Sequence, residues 1–373
     1  MTFAMKPIVI KITAIVALLS LVSVMIADDK VSLRTNLFTD NTGTAVQSPA
    51  VEIVKSLLRN TRLALRYSLD RVVVPPIRGL SATPSPIDAV AGASRPISVD
   101  DPANKSFIKE RNEITAGLEL SGVGFSYYHS KETDYVGRMA TVDANFDFNQ
   151  KNTNLTLSYS YGWDRIEPLG TDTLHQKTTH SANLTLTQAL NPQLIGRVGV
   201  DFSQVSGFQS NPYRAVFAGG VHRIEIHPLS RTRGAGFVKL NRYFTNLSSL
   251  NMGYRFYRDD WQVQSHTLDI FYHQYFSDKV LIRYRYRYYV QTGAFFYQKT
   301  YPAVQPFMTA DYKLEPFNSH LFGVKIEYQL KDLVKGGFLS FLASSTFEAK
   351  YERYFSSNDF TADIFQFGLV FNY

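Results

Sequence analysis

The sequence predicts an all-β fold, a transmembrane antiparallel up-and-down β-barrel, from three observations. Beyond Asp28 the 373-residue chain repeats one device, a stretch alternating between apolar or aromatic and polar or small residues, closed by a turn. A period of two means a strand with two unlike faces. Asn154 to Asp164 displays it, with Leu155, Leu157, Tyr159, Tyr161 and Trp163 on one face and Thr156, Ser158, Ser160, Gly162 and Asp164 on the other. A soluble sandwich alternates in the same way, but these stretches reach the ~10 residues that a tilted strand needs to cross a bilayer. Aromatic side chains are abundant, 23 Tyr and 27 Phe, as girdles at the two membrane interfaces require. Hydrocarbon offers no partner to a bare strand edge, so a spanning sheet must close on itself.

Taken in order, residues 1–27 read as a signal peptide. Lys6 and Lys11 precede the apolar run Ile12 to Ala27, and Asp28, Asp29 and Lys30 follow it. That run is shorter than the ~20 residues of a membrane anchor. Ala27 supplies a small residue for cleavage, whereas Met25 is larger than the usual pattern; a retained anchor is the alternative. Residues 28–373 then form the barrel. Alternation and turns together predict strands near 31–39, 46–58, 61–74, 108–120, 123–134, 137–149, 153–165, 174–189, 193–205, 230–246, 249–260, 264–276, 279–294, 319–331, 336–353 and 360–373. That makes about 16 strands, an even number as a single-chain barrel needs; 14 is the alternative, because the first hairpin is weakly marked. Short turns such as Ser121-Gly122 and Ser277-Asp278 fit the periplasmic side. Three connectors are long, near 75–107, 206–229 and 295–318, and would face outward or fold into the lumen.

The final strand sets Phe365, Phe367, Leu369, Phe371 and Tyr373 on one face. In Gln366, Gly368, Phe371 and Tyr373 it resembles the C-terminal insertion signal of outer-membrane barrels, which implies recognition by the barrel-assembly machinery and residence in the outer membrane. A second resemblance spans most of the mature chain. Asp88-Ala89-Val90-Ala91-Gly92-Ala93-Ser94-Arg95-Pro96, His227-Pro228, Arg231 and Arg233, the run Tyr254 to Trp261, Ser265-His266-Thr267, Arg287-Tyr288-Tyr289-Val290-Gln291 and Phe295-Phe296-Tyr297 together resemble an uncharacterised family of bacterial outer-membrane β-barrels, a domain of unknown function. The resemblance implies fold and location and brings no activity with it.

Composition narrows the function. The net charge of +7 falls to +5 once Lys6 and Lys11 are removed, a mild basicity that gives no reason to expect a nucleic-acid partner. The absence of Cys excludes disulfides, a cysteine nucleophile and a lipid-bearing cysteine. Parity then assigns a wall. Arg283, Arg285 and Arg287 oppose Ile282, Tyr284, Tyr286 and Tyr288, and three guanidinium groups in hydrocarbon would cost ~2 to 4 kcal/mol each near the midplane. The arginines therefore face the lumen, with Asp269 and His273 beside them and Arg255, Lys325, Glu327, Arg197 and Asp201 inward by the same rule. This pore-lining set reads as a cationic stripe favouring a small anionic solute, or as mixed charges that neutralise one another and fill the lumen.

A porin-like channel or small-solute transporter follows from the first reading, since 16 strands enclose an aqueous lumen. A non-conducting scaffold for a periplasmic or surface partner follows from the second. A hydrolase is the third reading and the weakest: Ser94 lacks a G-x-S-x-G frame, and no spacing joins it to Asp269 or His273. No enzyme activity, no cofactor and no metal are expected. His222, Glu225 and His227 form an H-x-x-E-x-H cluster whose spacing departs from metalloprotease helices, so a solvated loop is expected there. A TonB-dependent transporter would need ~22 strands and a plug, more than this chain can supply.

Overall fold

The computed structural model describes residues 29–58, 60–74, 107–332 and 340–372. Sixteen long strands close into one antiparallel barrel. They are β1 (Lys30–Asp40), β2 (Ala45–Leu58), β3 (Thr61–Val74), β4 (Phe107–Leu120), β5 (Val123–Lys131), β6 (Tyr135–Phe148), β7 (Thr153–Ile166), β8 (His175–Asn191), β9 (Leu194–Gly207), β12 (Ser230–Phe244), β13 (Ser248–Asp259), β14 (Gln264–Tyr275), β15 (Val280–Gln291), β17 (Phe317–Gln329), β18 (Ser345–Ser356) and β19 (Thr361–Asn372). Each pairs with its neighbour in sequence among these sixteen, and β19 returns to β1, running from Lys30 opposite Asn372 to Asp40 opposite Ala362. Three further strands, β10 (Ala215–Ala218), β11 (Val221–Ile224) and β16 (Thr300–Tyr301), form a separate small sheet with β10 in the middle.

Connectors of two to four residues predominate at the end of the barrel where β1 begins and β19 finishes, and the long segments 208–229 and 292–316 lie at the other end, the periplasmic and extracellular arrangement of such barrels. At the hairpin between β4 and β5, Ser121 and Gly122 take φ of 49° and 89°. That two-residue geometry matches the strand twist and favours glycine at its second position.

On the outside, Val198, Val200 and Phe202 of β9 are half exposed, at 49, 55 and 52%. No protein covers them, and comparable apolar side chains recur on every wall strand from β3 to β19. Such a belt is costly in water and favourable in lipid. Between mid-wall and the extracellular end, tyrosine hydroxyls contact histidine rings on adjacent strands, Tyr159 with His180 at 2.7 Å, Tyr254 with His266 at 2.6 Å and Tyr286 with His320 at 3.0 Å. Each pair presents an apolar body with a satisfied polar tip, the character that suits a membrane interface. The chain is a bilayer-spanning barrel of the outer membrane.

Three strand ends fall short of expectation by three residues or more, for local reasons. β5 stops at Lys131 rather than 134, because Glu132 and Asp134 fold over to Lys109. β15 stops at Gln291 rather than 294, because Ala294 turns into an apolar cluster with Trp261, Val263, Phe296 and Leu314. β18 begins at Ser345 rather than 336; Ser340–Ser344 is a 3-10 turn, closed by the Ser345 hydroxyl donating to the Leu342 carbonyl at 2.6 Å. The expected signal peptide, the motif around Ser94, nearly all of the 75–107 connector, residues 333–339 and Tyr373 lie outside the described residues.

Candidate functional site

Which face of the wall is interior follows from what shares a cavity with the segments crossing the barrel mouth. Arg255, Tyr257, Ser265 and Tyr289 line one cavity with His227 and Asp311, which belong to those segments. Partners in an antiparallel ladder share a face. Arg255 stands opposite Thr267, which stands opposite Tyr289. Two residues along, Asp269 faces Arg287, His273 faces Arg283, and Arg283 faces Lys325. All ten residues assigned to the lumen by parity are therefore on the inner face.

They fall into two groups rather than one stripe. On β9 and β13, Arg255 lies 3.4 Å from Asp201, Asp201 also accepts from the Asn183 amide at 2.6 Å, and Arg197 donates to the Thr187 hydroxyl at 3.0 Å. On β14 to β18, Asp269 accepts from both Arg285 (3.2 Å) and Arg287 (2.6 Å). Arg285 reaches on to Glu352 at 3.0 Å, and Lys350 meets the same carboxylate at 3.0 Å. Lys325 bridges Glu327 (2.6 Å) and Glu348 (3.0 Å), and Glu348 continues to Arg34 at 3.2 Å. Most of these cations thus have a carboxylate within reach. Arg283 packs instead over the Phe271 ring at 5.5 Å, with no ion pair among the described residues. Asp269 and His273 are four residues apart on one strand, about 13 Å at the usual rise, too far for an acid–base couple.

The extracellular connectors at 208–229 and 292–316 make a lid. Its sheet of β10, β11 and β16 buries Val216, Ala218, Tyr301, Met308 and Ala310 together. The second cluster, around Trp261 and Phe296, joins the lid to the rim turn between β13 and β14. Polar ties reach opposite sides of the mouth. The Tyr213 hydroxyl donates to Asp134 at 2.6 Å between β5 and β6, and Asn358 between β18 and β19 donates to Glu315 at 2.8 Å. Burial and the bond to Asp134 raise the Tyr213 pKa, so it remains a donor.

At the heart of the lid Glu225 is 2% exposed. It accepts from the Asn211 amide at 2.7 Å and the Thr309 hydroxyl at 2.8 Å, lies 3.2 Å from His227 Nε2, and has Arg214 at 4.0 Å. Burial opposes its charge, yet the His227 ring, Arg214 and the Asn211 amide outweigh that and hold its pKa below the ordinary 4.5. The expectation of a solvated loop at His222, Glu225 and His227 is corrected here. Only His222 is exposed, packed edge-on against Phe217; Glu225 and His227 are interior because Thr309 and Gln209 supply partners that the local sequence does not reveal. Among the described residues no group of three potential ligands could hold a metal.

Two cavities lie between lid and wall, and they share Lys177, Thr179, Gln209, His227 and Asp311. The first, about 500 Å³, has an acidic lining that includes Glu132, Asp134 and Asp164. The second, about 510 Å³, is lined by Lys177, Arg231, Arg233, Arg255 and Lys313 together with Tyr257, Trp261 and Tyr289. Parity could have found Arg231 and Arg233, which alternate on β12 as the other arginines do on β15. The lid that encloses them left no signal in the sequence.

A family described as "Protein of unknown function (DUF3570)" matches residues 20–178 and 171–358. The chain belongs to that family. No curated protein matches the sequence of this DUF3570 barrel. Among solved structures it is similar to a loop-deletion mutant of OmpT, an outer membrane protein of Vibrio cholerae, at 11% identity and TM-score 0.45, covering 93% of this chain and 99% of that one. A BenF-like porin from Pseudomonas fluorescens Pf-5 is 10% identical with TM-score 0.45 over 93% and 99% of the two chains. OccD3 from Pseudomonas aeruginosa is 10% identical with TM-score 0.46 over 92% and 91%.

Proposed function

We propose that this barrel is a porin-like channel or small-solute transporter whose lumen favours small anionic solutes. The observation that carries the reading is the inner face itself: from β3 through β18 it bears charged and hydroxyl side chains, and it stays open enough beneath the lid to hold two cavities of about 500 and 510 Å³. A scaffold whose lumen is filled by mutually neutralising charged side chains would leave no such space. The wall cations Arg283, Arg285, Arg287, Arg255, Lys325 and Arg197 supply the preference, moderated by Asp269, Asp201 and Glu327, with His273 between them. In this reading residues 1–27 are removed as a signal peptide, and Gln366, Gly368, Phe371 and Tyr373 serve the assembly machinery as the insertion signal.

The test is single-channel recording in planar bilayers. We expect steady current with anions preferred over cations, and a lower preference when Arg283, Arg285 and Arg287 all become Gln. Because Asp269 neutralises two of the three, Asp269→Asn should raise the anion preference. A well-folded barrel that passes no current supports the second reading, a non-conducting scaffold for a surface partner, which the ties from the lid to Asp134 and Asn358 favour.

A further inference from the structure

We infer that the second cavity is a binding site for a small organic carboxylate with an apolar body, with Arg233 as the residue that holds its carboxylate. The inference starts from a shortage of anions on β12 and β13. In the ladder Arg233 stands opposite Asp259. Asp259 is nevertheless engaged elsewhere. It accepts from Arg231 Nε at 2.8 Å, from the Tyr257 hydroxyl at 2.7 Å and from the Val263 amide at 2.9 Å. The next carboxylate, Asp260, accepts the Thr232 amide at 2.9 Å. Two guanidinium groups share one carboxylate, and Arg231 has it.

Arg233 is left with a buried Nε that has no hydrogen-bond partner, and it makes no ion pair among the described residues. A guanidinium Nε removed from water without a partner is unfavourable, and Arg231 two residues away on the same face adds repulsion. An anion in the cavity relieves both. The fork of N–H groups on arginine matches a carboxylate bidentately, and the other cations lining the cavity reinforce it. Lys177 is 3.0 Å from Asp164, Arg255 is 3.4 Å from Asp201, and Arg231 is stacked 4.1 Å over Trp261, so these neighbours are fixed in place by their own contacts.

The rest of the lining sets the class of ligand. Tyr257 and Tyr289, both half-buried, present their rings to the same cavity, which Val205, Val263 and Leu314 also border. A hydrated inorganic anion gains nothing from that surface, whereas a carboxylate with a ring or short chain buries it. The volume of about 510 Å³ lies within the range of small-molecule pockets. The inference deepens the channel reading and depends on it for the route by which the ligand arrives, but binding and conduction can fail separately.

The experiment is calorimetric titration of detergent-refolded protein at neutral pH with benzoate, benzyl alcohol and inorganic phosphate. We expect saturable binding of benzoate, no binding of benzyl alcohol and weaker binding of phosphate. Arg233→Gln should weaken benzoate tenfold or more and Arg233→Lys less. Arg242→Gln, which removes a cation from the outer face of the same strand, should leave it unchanged. Folding of each variant is checked by the mobility shift of unheated barrel on a denaturing gel. No saturable binding of benzoate, or equal affinity in folded Arg233→Gln, overturns the site; phosphate binding as tightly as benzoate overturns the ligand class. A barrel that binds benzoate without conducting removes the channel and keeps the site, and one that conducts without binding benzoate removes the site alone.

Discussion

At the scale of single residues, the inner wall is governed by how many carboxylates each cation can reach. Alternation told which side chains turn inward, and Arg283, Arg285, Arg287 and Asp269 were legible for that reason. It could not tell which of them pair, because pairing depends on the register between strands: Asp269 serves two arginines, while Arg283 has no carboxylate partner among the described residues. Glu225 was the least legible, since the hydroxyl that holds it belongs to Thr309, 84 residues away in sequence. Its lowered pKa carries a sign. A carboxylate depressed on folding adds stability at pH above its unfolded value of 4.5 and loses it as pH falls through the lower folded value. The lid should therefore be held at neutral pH and loosen below about pH 4, read as faster proteolytic cleavage within 208–229. Glu225→Gln should loosen it already at pH 7, by about 3 kcal/mol, as expected when one partner of a buried charged cluster is removed.

Whole elements were more legible than their ends. Fifteen of the sixteen wall strands begin within about three residues of the expectation, since period two persists through a strand and breaks at its turn. The lid was anticipated only as long connectors. Its short strands β10 and β16 pair in parallel across some 80 residues, and so few residues leave no readable period. Gly207, where β9 leaves the wall, shows what this departure requires. Its φ is 105°, and a Cβ there would collide with the backbone carbonyl of Gln176 on β8. Gly207→Val should thus lower the yield of refolded barrel and weaken protection of the lid against protease, with both effects larger than for Gly234→Val on β12, where a Cβ meets nothing.

For the molecule as a whole, the two-faced wall was the most legible property, because lipid outside and water inside impose opposite chemistry on alternate positions. The same contrast can be measured. Val200, near the middle of β9, is 55% exposed on the outer face, whereas Thr185 on β8 faces inward beside Gly199. Val200→Arg should destabilise the barrel in vesicles by about 2 to 4 kcal/mol, and Thr185→Arg by less than about 1 kcal/mol. A cost for Thr185→Arg equal to or above that for Val200→Arg in a denaturant titration would overturn the face assignment. How much of the lumen the lid covers was beyond sequence reasoning, because it depends on contacts between rims on different sides of the mouth, such as Tyr213 with Asp134.

The seam between β1 and β19 sets the order in which such a molecule can be completed. Lys30 and Asn372 become neighbours only when the strand made last reaches the one made first. Until then every growing sheet carries two raw margins, each able to recruit a stray strand. Fidelity of assembly therefore rests on shielding those margins until the seam closes, and a chain cut before Thr361 would keep them for good.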